Sequence, residues 1–169
     1  MTLSNDLKQK IRVELQRMEE DCVHSGKSHF NASSRWQLWN YFIGIPSVIL
    51  SACASSAFFG DHATVAGLMT SAVTVLAALI TFLKPSERSS EHKSSGDQYL
   101  SLRNDARVFR EIELEQITHD VAAIAGMNGF TKRRNELNQA SPQFSNRDRK
   151  KAAHGIDVGE STHIVDKGN

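Results

Sequence analysis

The chain has 169 residues, with 20 Lys and Arg against 19 Asp and Glu, which gives a net charge of +1. A charge this close to zero excludes a nucleic-acid binder held by bulk positive charge, and two cysteines are too few for a disulfide-stabilised scaffold. The charges are unevenly distributed, because residues 36–83 contain a single charged residue, Asp61. This distribution is not that of one water-soluble globular core.

Residues 1–35 are predicted to form a cytoplasmic amphipathic helix. Ser4 or Asn5 can cap its N-terminus. Its apolar residues recur at steps of three and four and so share one face: Leu7, Ile11, Leu15, Met18 and Cys22. We expect Gly26 and the polar stretch 31–34 to interrupt the helix before the uncharged block begins.

Residues 36–83 are predicted to form a transmembrane hairpin, with spans at about 39–60 and 63–83. About 20 helical residues cover the roughly 30 Å hydrocarbon layer of a bilayer. Only Asp61 and His62 separate the two spans, so the connection is tight. A pair of buried helices in a soluble bundle is the alternative, but two adjacent uncharged segments of this length are rare in soluble proteins.

The basic residues around the hairpin predict its orientation. Both spans are flanked by basic residues on the side away from the connector, which has none: Lys27, Arg35, Lys84, Arg88 and Lys93. The positive-inside rule therefore predicts that both termini are cytoplasmic. Three aromatic residues at the start of the first span are predicted to be anchors at the membrane interface: Trp36, Trp39 and Tyr41.

Small and hydroxyl-bearing residues recur at four-residue spacing in both spans. Such rows allow helices to pack closely in lipid, and each span has a second row left over, which predicts a homo-oligomer. Six hydroxyl residues are candidates either for this packing or for lining an aqueous path: Ser47, Ser51, Ser55, Thr70, Thr74 and Thr81. Neither span contains Lys, Arg, Asp or Glu, which argues against a proton relay, a voltage sensor or a coupled transporter.

Residues 84–140 are predicted to form a cytoplasmic helical region that begins at Pro85. Its apolar seam contains a step of five residues, which indicates a local phase slip, and runs through Tyr99, Leu102, Ala106, Phe109, Leu114, Ile117, Val121 and Ile124. So narrow a seam favours pairing with the N-terminal helix, with a neighbouring subunit or with both, as a helical bundle or coiled coil. Gly126 and Gly129 are expected to end this helix, and a short basic helix is expected over 131–140.

The tail, residues 141–169, has a basic run but no pattern from which to predict a fold. A solvated surface is the simplest role for the basic clusters, and contact with anionic lipid is the alternative for any cluster near the bilayer. The whole chain is thus predicted to be an all-α membrane protein, with a two-helix hairpin between long cytoplasmic amphipathic helices.

The sequence contains no catalytic constellation. The motifs GxGxxG, GxxxxGKS/T, HExxH, CxxC and GxSxG are absent. The pairs His119-Asp120 and His163 with Asp166 are too isolated for acid–base chemistry. We therefore expect no enzyme activity, no cofactor and no metal site.

The exit of the second span resembles the SLATT family, two-transmembrane effector proteins of prokaryotic conflict systems. In that family the second span runs into a Pro, a basic residue, a His about one turn on and a Tyr-x-x-Leu in the following helix. The matching residues here are Pro85, Arg88, His92, Tyr99 and Leu102. Trp36, Tyr41 and the short connector are also similar to the family, and the likeness covers about residues 5–140.

This resemblance implies an effector of the prokaryotic inner membrane that oligomerises and forms or gates a pore. Depolarising or permeabilising the membrane would then cause abortive infection in anti-phage defence. The trigger would be a separately encoded sensor or nucleotide-second-messenger system, and no nucleic acid is expected as a partner. A non-conducting membrane scaffold or adaptor that recruits a cytoplasmic partner is the alternative.

The resemblance also gives roles to the residues at the membrane exit. Pro85, Arg88, His92, Tyr99 and Leu102 would couple the trigger to the spans. For Arg88 and His92, anchoring at the interface and helix capping are an equal alternative.

Overall fold

In the computed structural model, residues 3–60 and 62–161 are described, and the regular elements in this part of the chain are all helices. They are α1 (Asn5–Phe59), α2 (Ala63–Leu83), α3 (Pro85–Val108), a π-helical segment (Phe109–Glu113), α4 (Leu114–Gln116), α5 (Asp120–Ala140) and α6 (Asn146–Asp157). The chain divides into a terminal unit, from Met1–Ala32 and Glu91–Asn169, and a central unit, Ser33–Ser90.

Helix α1 is continuous, so the predicted interruption at Gly26 and residues 31–34 is wrong. Gly26 is instead a point of close packing against α3: a Cβ there would lie 3.4 Å from the carbonyl oxygen of Gly96 and 3.5 Å from Cβ of Tyr99. The glycine therefore permits close helix approach without ending the helix. Helix α1 begins with the predicted cap, in which Ser4 Oγ accepts a hydrogen bond from the Leu7 amide at 3.2 Å.

The apolar stripe of α1 packs against the seam of α3 inside the terminal unit. Two buried clusters result, and α5 contributes to both. The first contains Ile11, Leu15, Ala106, Phe109, Leu114 and Ala123. The second contains Met18, Cys22, Tyr99, Leu102 and Leu137.

The predicted phase slip between Phe109 and Leu114 is confirmed. The π-helical segment Phe109–Glu113 occupies this position, and Phe109 and Leu114, five residues apart, are buried in the same cluster. A π-turn accommodates one extra residue, so two residues five apart can face the same side of a helix.

The predicted seam helix does not continue to Ile124. It ends at Gln116, because Ile117 is extended (φ −76°, ψ 125°), and α5 begins at Asp120. Gly126 and Gly129 lie inside α5, so the prediction that they end a helix is wrong, and the predicted basic helix 131–140 is the last part of α5. Gly126 has a packing role, since a Cβ there would overlap the ring of Phe109.

The tail contains a helix that the hydropathy pattern did not reveal. Helix α6 begins at a capping box in which Ser145 Oγ accepts from the Asp148 amide at 3.2 Å and Asp148 Oδ2 accepts from the Ser145 amide at 3.1 Å. Asp61 of the connector, and His163 and Asp166, lie outside the described residues.

Two helices that pass through the central unit are long and apolar enough to cross a membrane. The most apolar 18-residue windows of α1 and of the helix that starts at Ala63 have mean hydropathies of 1.8 and 2.1, and only 11% and 6% of their residues are buried. Large apolar side chains such as Phe42, Leu68 and Phe82 are 67%, 70% and 83% exposed. A core helix of a soluble domain buries such side chains, whereas this surface suits lipid.

Candidate functional site

Three side chains stack where the first span begins. The guanidinium carbons of Arg35 and Arg88 lie 5.3 Å and 4.8 Å from the centroid of a Trp36 ring, within cation–π distance. Beside them, Ser89 Oγ donates to the Ser33 carbonyl at 2.9 Å and contacts Ser33 Oγ at 3.1 Å. We call these five residues the clamp. It ties the start of the first span to the first turns of α3.

A single left-handed residue, Lys84, separates α2 from α3. Lys84 is left-handed (φ 45°, ψ 52°), and its amide donates to the Ile80 carbonyl at 2.9 Å, which closes the end of α2. Pro85 is the first residue of α3 and is buried. A proline there costs no backbone hydrogen bond and starts a helix efficiently. The predicted helix start at Pro85 is confirmed.

A pair of buried histidines joins α1 to α3 in the terminal unit. His29 Nδ1 and His92 Nδ1 are 3.0 Å apart, and the two residues are 1% and 3% exposed. One ring must donate and the other accept, so this hydrogen bond cannot form when both Nδ1 atoms are protonated.

Aromatic rings enclose His29. The Tyr99 ring is stacked on it at 5.5 Å between centroids, and Phe144 meets it edge-on at 5.0 Å. Tyr99 OH donates to Asn138 Oδ1 at 2.7 Å. We call His29, His92, Tyr99, Phe144 and Asn138 the histidine cluster.

The electrostatics of the histidine cluster favour neutral side chains. Burial, and then the neighbouring His92, lower the pKa of His29 from 6.5 to about 4. Burial raises the pKa of Tyr99, partly opposed by its hydrogen bond to Ser141. Two imidazoles without a third ligand do not make a metal centre, and the described residues contain no group of three or more His, Cys, Asp or Glu that could hold a metal ion.

Apart from Pro85, the residues predicted at the membrane exit fall into three environments. Arg88 contacts Trp36, His92 and Tyr99 surround His29, and Leu102 is buried in the apolar cluster with Met18. The other two predicted interface anchors, Trp39 and Tyr41, are exposed on the central unit.

All six predicted hydroxyl residues of the spans donate to the carbonyl four residues earlier. The distances are 2.7–3.1 Å for Ser47, Ser51, Ser55, Thr70, Thr74 and Thr81. Each hydroxyl proton is thus satisfied within its own helix, as lipid requires, while the oxygen can still accept a hydrogen bond. This arrangement is compatible with close packing of the helices and with a surface that lines a water-filled path.

Three of these hydroxyl residues lie together in the central unit. A groove of about 690 Å³ is lined by both helices near the connector, and Ser51, Ser55 and Thr70 are among its lining residues. Ala54 and Ala66, also in the groove, are buried. Ser47, Thr74 and Thr81 do not line it.

The contribution of His29, Ser33 and Ser89 was missed from the sequence. The sequence nevertheless contains information on their pairing. Both helices rise 1.5 Å per residue, so partners in an antiparallel helix pair lie at nearly equal chain distances from the turn. His29 with His92 and Ser33 with Ser89 follow this rule. The pairing was not predicted because a break in α1 between Gly26 and residue 34 was expected from the sequence.

The chain was compared with family models, with curated proteins and with solved structures, and none matches. The resemblance to the SLATT family stays a prediction based on the residues at the membrane exit.

Proposed function

We propose that the chain is a homo-oligomeric membrane effector whose central unit forms or gates a pore. The observation that supports this best is the outward-facing apolar surface of two span-length helices that also bear rows of hydroxyls. Its setting would be the prokaryotic inner membrane, with both termini cytoplasmic, in anti-phage defence by abortive infection.

A pore requires several copies, because two helices cannot enclose a water-filled path. The small residues of the spans permit close approach of neighbouring copies. Hydroxyl oxygens that have already donated their proton can still accept hydrogen bonds from water. Opening such a path dissipates about 2.3 kcal/mol per elementary charge per 100 mV, so toxicity needs no catalysis.

The terminal unit is the proposed receiver of the trigger, supplied by a separately encoded sensor or a nucleotide second messenger. Helices α1 and α3 both continue from the terminal unit into the central unit. A ligand that prefers one packing of the terminal unit shifts the population by no more than its difference in affinity. The clamp and three residues of the histidine cluster, His29, His92 and Tyr99, lie on these two helices. We assign the clamp and the histidine cluster the coupling role.

Dye release from proteoliposomes tests the pore directly. Thr70, Thr74 and Thr81 share one face of α2, and their replacement by valine keeps shape while removing the hydroxyls. A control variant, Thr64→Val with Ser71→Ala, removes hydroxyls from a different face of the same helix. We expect the triple variant to lose release and the control to retain it.

A non-conducting scaffold is the second candidate. The internal hydrogen bonds of all six hydroxyls favour it, because they need no water. Dye release from the parent protein distinguishes the two candidates. If the parent oligomerises but releases no dye, alone or with the proteins encoded by neighbouring genes, this would support the scaffold and contradict the pore.

A further inference from the structure

Helix α6 has a basic side and a buried side. Asp148, Ala152 and Gly155 are buried in the terminal unit. Exposed basic residues follow the spacing i, i+3, i+4, i+7 of a single helix face: Arg147, Lys150, Lys151 and His154. Within residues 3–60 and 62–161, neither Arg147 nor Lys150 forms an ion pair. We call these four residues the basic face.

Contacts near both ends of α6 hold it against a short stretch of α1. Asn31 Nδ2 donates to the Asp148 carbonyl at 3.2 Å. Lys27 forms an ion pair with Glu160, just beyond α6. Lys27 also covers Gly155, where a Cβ would lie 2.7 Å from its Nζ.

This docking point is close along the chain to the uncharged block. Asn31 precedes Trp36 by five residues, and five residues span at most about 18 Å even when fully extended. In a helix they rise only about 7.5 Å. Asn31, to which α6 is docked, therefore lies within about two Debye lengths of the start of the block at physiological ionic strength.

We propose that the basic face of α6 binds the anionic headgroups of the bilayer that holds the central unit. The charge is complementary, the basic side chains are exposed, and α6 is tied to α1 just before the first span. Basic clusters next to a span bind anionic lipid electrostatically, without a shaped pocket. The proposal needs the central unit to lie in a bilayer but does not need it to conduct.

Limited trypsin cleavage of the full chain in nanodiscs tests this binding. The discs contain phosphatidylcholine alone or mixed with phosphatidylglycerol, and the measured quantity is the rate of cleavage after Arg149. A fluorogenic arginine peptide in the same reaction corrects for trypsin activity. We expect phosphatidylglycerol to slow cleavage at least about tenfold, because each basic residue near an anionic surface adds to binding. High salt should restore the cleavage rate, because it screens this attraction.

Two variants with the same loss of charge locate the effect. Arg147→Gln with Lys150→Gln and Lys151→Gln leaves Arg149 as the cleavage site and should abolish the lipid dependence. The control, Lys10→Gln with Arg17→Gln and Lys132→Gln, changes side chains that are 71%, 70% and 80% exposed and should retain it. Circular dichroism verifies helix content in both variants.

Three outcomes would overturn the proposal: equal cleavage of the parent in both lipids, equal loss of lipid dependence in the two variants, or protection of Arg149 by a short RNA but not by phosphatidylglycerol. Dye release is a separate measurement, so failure of the pore and failure of headgroup binding are distinguishable.

Discussion

His29 is the residue through which acid should destabilise the terminal unit. Burial lowers the pKa of His29 to about 4 in the folded chain, against 6.5 for an ordinary histidine, so the unfolded chain binds more protons between these values. The contribution of His29 to stability is therefore fully present above pH 6.5 and is lost as the pH decreases toward 4. At about 1.4 kcal/mol per unit, the loss is of the order of 3 kcal/mol.

Urea unfolding in detergent at several pH values measures this loss. His29→Gln keeps a hydrogen-bonding partner for His92 without titrating, so it should be less sensitive to acid than the parent. His24→Gln changes an exposed histidine of the same helix and should behave as the parent does. A parent whose stability is flat between pH 7 and pH 4.5 would refute the depressed pKa of His29.

Gly96 should be intolerant of a side chain. A Cβ there would lie 2.8 Å from Cε1 of Phe30, so the ring must move. We expect Gly96→Ala to lower the free energy of unfolding by about 1–3 kcal/mol through overpacking. Gly129→Ala is the control, since no atom lies within 4 Å of its Cβ position, and it should raise stability by up to about 1 kcal/mol. Thermal unfolding that ranks Gly96→Ala above Gly129→Ala in stability would contradict the close approach of α1 and α3.

At the scale of the elements, the turn between α2 and α3 stores local strain. A left-handed lysine costs about 1 kcal/mol relative to glycine. Lys84→Gly should therefore stabilise the protein by about that amount, and Lys84→Ala, which keeps a Cβ, should not. The ion pair of Lys84 with Glu87 is more than half exposed on both sides and contributes little. Equal melting temperatures for the glycine and alanine variants would argue against this turn.

Much of the element order was predictable, because it depends on local signals. The Ser4 cap, the start of α3 at Pro85 and the phase slip at Phe109 each have a short sequence signature. The prediction that glycines interrupt or end the helices was wrong. Gly26 and Gly126 instead allow close helix packing, which depends on residues distant in the sequence. Helix α6 was missed because its buried face consists of Ala152, Gly155 and Asp148 of the capping box, which have almost no hydrophobic signal.

The candidate site was predictable only in part. Hydropathy located Trp36 at the start of the block and the family resemblance singled out Arg88 and His92, but their partners are tertiary. Pairing Trp36 with Arg88 or His29 with His92 requires the antiparallel register of an uninterrupted α1. Phe144 and Asn138 reach the cluster from the region around the end of α5, which no local pattern relates to α1.

At the scale of the whole molecule, every functional proposal depends on the central unit crossing a bilayer as a hairpin. The two span-length helices, their exposed apolar surface and the internally bonded hydroxyls all fit this environment. The basic residues beside the spans then predict that both termini are on the cytoplasmic side.

Labelling of single cysteines in intact cells with a membrane-impermeant maleimide measures this topology. Cys53→Ala removes the exposed native thiol, while Cys22 can stay, because it is buried and burial raises its pKa to about 11. Cysteine is then placed at Ser4, His62 or Ser161 in turn. We expect labelling at position 62 in intact cells, and at positions 4 and 161 only after permeabilisation. Labelling of all three positions in intact cells, or recovery of the protein in the soluble fraction without detergent, would contradict the transmembrane hairpin.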